Sequence, residues 1–115
     1  GMDEISICAP TNISEMRNGK INSYAIRPED FGLQLGTLEN IIVRDPAESL
    51  ALIEQVLAGQ KSSARDIVVL NAGAGVYVSG LAGSLFDGIS LAQASIDSGK
   101  ALAAMQAYII ATQSA

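Results

Sequence analysis

The chain has 115 residues, enough for one domain of ordinary size and too few for a multidomain machine. Its 12 acidic and 7 basic residues leave a net charge of −5, which argues against a nucleic-acid partner held by a basic patch. With no histidine and a single cysteine, Cys8, an internal disulfide, an ordinary zinc site and a Ser/His or Cys/His catalytic arrangement are all excluded.

The first predicted elements are strands near 12–16 and 20–26. Asn18-Gly19 between them is the expected centre of a two-residue hairpin turn needing positive φ. Ile13 and Met16 are apolar on the first arm, and Ile21, Tyr24 and Ile26 on the second. This is an imperfect period of two that leaves the register open. Pro28-Glu29-Asp30-Phe31-Gly32 breaks the pairing and predicts a loop or one helical turn. Its acidic pair complements exposed backbone N–H groups there and anchors Phe31 in the core.

Asp45-Pro46-Ala47-Glu48 predicts a helix start: a capping carboxylate, a proline at the first helical position and a glutamate at capping-box spacing. The helix should run to about Ala58, with Leu50, Ile53 and Leu57 as its core stripe, Leu52 and Val56 widening it, and Gly59 as a left-handed cap. A second helix is expected from near Asp66 to near Gly80. It opens a stretch of 20 uncharged residues, Ile67–Phe86, which is long enough to cross a bilayer. Asn71, Ser79, Ser84 and four glycines dilute that stretch, so a buried core helix is the expectation, with Gly73 and Gly75 implying a close neighbour. Ser84 should cap a third helix to about Asp97, with Leu85, Ile89, Leu91, Ala92 and Ile96 facing inward. A last helix, about 99–112, presents Leu102, Met105, Ile109 and Thr112 on one side.

Charged residues make up 17% of the chain and hydrophobic ones 49%, which is too apolar for disorder. So little charge covers a small domain's surface poorly. Part of that surface is therefore expected to be covered by a second subunit or by a missing portion of a larger protein. Gly1–Ser6 has none of the features of a signal peptide, so the cytoplasm is the expected location and Asn12-Ile13-Ser14 a chance match to a glycosylation sequon.

Candidate chemistry is sparse. Ile67–Gly75 superficially copies a strand and Gly-rich dinucleotide turn, but Val78 stands where the fingerprint wants Gly or Ala. Asp3-Glu4 is an adjacent carboxylate pair of the kind that binds a hard cation such as Mg²⁺ together with waters and phosphates. On the residues alone, mere solvation is the favoured account of such a pair. Tyr24, Tyr77 and Tyr108 show no spacing of a stacking platform and are read as core edges, and Cys8 as an inert packed thiol.

Six segments in order resemble the C-terminal part of the anthranilate phosphoribosyltransferase family. They are Gly1–Ser6, Ser14–Ile21, Arg27–Leu33, Asp45-Pro46-Ala47-Glu48, Val69-Leu70-Asn71-Ala72 and Ile96–Ala101. The resemblance implies an α/β fold: the C-terminal part of the large α/β domain of the nucleoside phosphorylase/phosphoribosyltransferase type, here a β-hairpin followed by about four helices. Residues 1–115 would be a single fragment of that catalytic domain. The family joins the amino group of anthranilate to carbon 1 of phosphoribosyl pyrophosphate and expels pyrophosphate, with Mg²⁺ as cofactor. The family's Asp-Glu metal pair falls on Asp3 and Glu4, while its pyrophosphate loop and anthranilate contacts lie upstream of Gly1, so no catalytic residue is expected in this chain. Gly75 stands where relatives carry alanine, and Arg44 where a glycine is common. A homodimer is expected for the complete enzyme, with no nucleic acid or membrane as partner. A related transferase or nucleoside phosphorylase with another acceptor, and a non-catalytic interaction module, stay open as alternatives.

Overall fold

The computed structural model describes residues 2–114; Gly1, which opens the first matching segment, and Ala115 lie outside the described residues. Strands β1 (Thr11–Arg17) and β2 (Lys20–Ile26) form an antiparallel two-stranded sheet running in register from Thr11–Ile26 to Arg17–Lys20. The turn between them has positive φ at both Asn18 (51°) and Gly19 (74°), the backbone whose twist matches a two-residue hairpin. That loop fixes the register. Thr11, Ile13 and Glu15 face the body of the molecule, whereas Met16 and its partner Ile21 stand together on the outer, exposed face.

Pro28–Phe31 is a single 3₁₀ turn, closed by Gly32 in the left-handed conformation at φ 73°. The chain then crosses the body with a second short turn at Leu38–Asn40 and enters four helices: α1 (Pro46–Leu57), α2 (Ser63–Val78), α3 (Leu85–Asp97) and α4 (Lys100–Gln113). Each of the first three begins with the side chain of its cap, Asp45, Ser62 or Ser84, accepting the backbone N–H three residues on. Ser62 sets the start of α2 three residues before the expected Asp66, because its hydroxyl accepts the Arg65 N–H, one of the free N–H groups of the first turn. Residues 67–75 lie wholly inside α2, so the strand and turn of a dinucleotide site do not exist here. Among the described residues no helix is long and apolar enough to cross a membrane.

The core is Ile7, Val56, Ala64, Val69, Leu70, Ile89 and Ile96. The helix–helix contact that organises it is α2 against α3, brought close by two glycines. A Cβ on Gly73 would lie 2.6 Å from the Ile89 Cα, and one on Gly88 would lie 2.3 Å from the Gly73 carbonyl oxygen. Gly75, expected to share this role, faces open space. Where the first turn of α2 meets the last residue of α3, Arg65, 2% exposed, meets the Asp97 carboxylate with Nη1 at 2.9 Å and Nη2 at 3.1 Å.

Several expected inward faces turn outward. On α1 the buried line runs through Val56 with Leu52 beside it, and Leu50 and Ile53 are exposed. On α3 Ile89, Ala92 and Ile96 are buried, while Leu91 is exposed. On α4 only Ala101, Leu102 and Met105 are half-buried; Ile109, Thr112 and Tyr108 are exposed, so Tyr108 is no core edge. The physical reason is common to all three helices: each carries more apolar surface than its neighbours within this chain cover.

Candidate functional site

Asp3 and Glu4 lie on a bend at the start of the chain, both exposed. The segment that follows is tied down over four residues. The Asn71 side chain accepts the Ile5 N–H at 2.9 Å and donates to the Ile5 carbonyl at 2.9 Å. Ser6 N–H reaches the Thr11 hydroxyl, and Cys8 N–H reaches the Ser6 hydroxyl. Ile7 is fully buried, and its carbonyl takes the Gly36 N–H at 2.8 Å. Cys8 is half-buried against the core with a free thiol, in keeping with a packing role.

Among the described residues no group of three or more His, Cys, Asp or Glu side chains is assembled to enclose a cation, and neither Asp3 nor Glu4 forms an ion pair. Two solvent-facing carboxylates are nevertheless what Mg²⁺ takes from a protein when waters and substrate phosphates complete its octahedron. The donor set fits that ion, and it does not fit a closed protein cage.

Of the second acidic pair, Asp30 is structural, while the Glu29 side chain is exposed. Asp30 accepts the Arg27 N–H at 2.7 Å across the 3₁₀ turn, and Phe31 packs half-buried on the core. Glu48 is also a capping group, but it turns back one residue further than expected. It takes the Arg44 N–H at 2.7 Å, and the Arg44 guanidinium lies 3.2 Å away. The Arg44 pairing holds the Glu48 carboxyl below the usual carboxylate range.

One cluster has no counterpart in the sequence reading. Glu15 on β1 accepts hydrogen bonds from the Tyr77 hydroxyl of α2 and, at 3.1 Å, from the Tyr24 hydroxyl of β2. Arg17 donates to the Tyr77 oxygen at 3.2 Å, and its guanidinium carbon lies 5.9 Å from the centre of the Tyr77 ring. The hydrogen bond from Tyr77 holds the Glu15 carboxyl below its ordinary range, and the same bond raises Tyr77. Tyr24 is raised by burial first and by Glu15 second. These groups border a cavity of about 710 Å³ between the hairpin and the α2–α3 connection, whose apolar wall includes Val78, Leu81 and Leu85. Residues 15 and 24 meet across the hairpin, whereas Tyr77 is 62 positions from Glu15, and only the hairpin register together with the docking of β1 on α2 brings the three together.

Residues 1–102 match the glycosyl transferase family, a/b domain, and the chain belongs to that family. Within it the chain is similar to several proteins of one name. The chain is 49% identical over 114 residues to the anthranilate phosphoribosyltransferase of Thioalkalivibrio sulfidiphilus, a match covering 99% of this chain and 34% of that enzyme. A crystal structure of anthranilate phosphoribosyltransferase from Thermus thermophilus superposes with a TM-score of 0.82 at 34% identity, covering 96% of this chain and 32% of that one. The Saccharomyces cerevisiae enzyme in complex with 4-fluoroanthranilate gives 0.87 at 26% identity over 100% of this chain and 34% of that one. The chain thus spans about a third of the length of the relatives it matches, and corresponds to their C-terminal part.

Proposed function

We propose that the chain is the C-terminal part of the α/β domain of a cytoplasmic anthranilate phosphoribosyltransferase. In the complete protein, a homodimer, it would present Asp3 and Glu4 to Mg²⁺ while its helices support the domain. The observation that carries the reading is near-half identity to such an enzyme sustained over almost the whole chain. The tight hairpin is in place as expected, Asp3 and Glu4 are exposed, and the apolar faces of α1, α3 and α4 that turn outward against expectation suit covering by further structure.

The chemistry asked of such a site is electrostatic. As the bond from ribose carbon 1 to pyrophosphate lengthens, negative charge grows on the leaving group and positive charge on the sugar. Mg²⁺ when bound neutralises the phosphates. Asp3 and Glu4 contribute oxygen donors on an anchored backbone, which costs little reorganisation during the reaction. A chain with no histidine can do this, because no strong base is required of it.

Pyrophosphate release by the complete protein, measured with anthranilate and with a panel of other amine and base acceptors, tests the reading. Release that depends on anthranilate supports it. Release that follows another acceptor instead assigns a sister activity and overturns it. The 115-residue chain alone is expected to release none, since it spans only a third of the relatives' length.

A further inference from the structure

We infer that Asn71 is a positioning residue for the carboxylates of Asp3 and Glu4, an inference that rests on their proposed role toward Mg²⁺. Every polar hydrogen of its amide has a partner. One Nδ2 hydrogen goes to the Ile67 carbonyl one turn back on α2, at 2.9 Å, which fixes the plane of the amide on its own helix. The other goes to the Ile5 carbonyl, and Oδ1 takes the Ile5 N–H. A side-chain amide that both donates to and accepts from one residue imitates a neighbouring strand, and it holds that residue's backbone in one orientation.

The consequence passes to Glu4 through covalent geometry. The Ile5 N–H and the Glu4 carbonyl belong to one planar peptide group, so fixing the first fixes the second. Beyond this point the backbone leads directly to both carboxylates. On the other side the segment is also held: Ile7 is fully buried, and its carbonyl accepts the Gly36 N–H at 2.8 Å. The pair therefore projects from a short arm whose root is clamped to α2, and the clamp is a single side chain 66 residues away.

The test uses the complete protein with phosphoribosyl pyrophosphate present and counts free Mn²⁺ by electron paramagnetic resonance. Asn71→Ala is expected to weaken Mn²⁺ binding about tenfold, the usual scale for losing an outer partner of a metal site. A purely structural Asn71 would lower the melting temperature and leave Mn²⁺ affinity in the folded protein within about twofold of wild type, which overturns the inference. If Asn71→Ala does not fold, Asn71→Gln decides, because it keeps the amide but carries it one methylene out of register with Ile5. Weakening of at least about threefold supports the inference, and wild-type affinity overturns it. Asp3→Asn with Glu4→Gln serves as the reference. Unchanged Mn²⁺ binding in that variant overturns the metal assignment itself, whereas weakening there with none at Asn71 overturns only the positioning role.

Discussion

Gly73 and Gly88 face each other across the α2–α3 contact so closely that a side chain on Gly88 would lie 2.3 Å from the Gly73 carbonyl oxygen. Backbone stands on both sides of this contact, so neither helix can yield by a rotamer change. Gly88→Ala, and Gly73→Ala against the Ile89 backbone, should each cost about 2–4 kcal/mol in urea denaturation, the range of an overpacked core or more. Gly75→Ala is the control. It meets nothing within 4 Å and should be neutral or stabilise the helix by up to about 1 kcal/mol. Equal effects at Gly75 and Gly88 would contradict the packing described.

The Glu15–Tyr77 bond joins the hairpin to the helical body and makes that junction pH-dependent at both ends. Glu15 is lowered in the folded state, so its contribution is complete above the ordinary carboxylate range and is lost as pH falls through the lowered value. Tyr77 and Tyr24 are raised, so theirs is complete below the ordinary tyrosine range and is lost as pH rises through the raised values. In an ultraviolet titration of the tyrosines, Glu15→Gln should bring the Tyr77 and Tyr24 ionisations back toward ordinary pH. An unchanged titration would show that Glu15 does not hold them.

Asp97 is half exposed, whereas its partner Arg65 is buried, and the two ends of this ion pair should respond differently to substitution. Asp97→Asn leaves a buried guanidinium without its counter-charge and should cost about 2–3 kcal/mol, below the full cost of breaking a wholly buried pair because one partner is already wet. Arg65→Met fills much of the same volume without charge and should cost less. Denaturant midpoints of the two variants check the order, and a larger loss for Arg65→Met would reverse it.

What could be read from the residues alone was local. Asn18-Gly19, Asp45-Pro46, Ser84 and Gly59 each impose a turn or a cap by their own chemistry, and all four act as expected. The order of a hairpin and four helices followed from them. The inward faces were less legible, because Leu50, Ile53 and Leu91 are as apolar as the residues that are buried, and periodicity shows that a helix has an apolar side without showing which neighbour covers it. Of the candidate site, the Asp3-Glu4 pair is proposed through the resemblance alone. The Asn71 clamp and the Glu15–Tyr77–Tyr24 cluster were not legible, since each depends on contacts between segments about 60 residues apart. A polar residue in an apolar helical run was the one available sign: Asn71 interrupts the run that opens with Ile67–Leu70, where a side chain with no partner would be costly.

The central claim is that Asp3 and Glu4 are the cation-holding edge of a phosphoribosyl transfer site. Steady-state turnover of the complete protein with anthranilate and phosphoribosyl pyrophosphate, titrated with Mg²⁺ in wild type and in Asp3→Asn with Glu4→Gln, tests it most directly. The account predicts that the variant needs at least about tenfold more Mg²⁺ and reaches a lower kcat, because both oxygen donors of the ion are weakened together. Superimposable Mg²⁺ curves for the two proteins would contradict it.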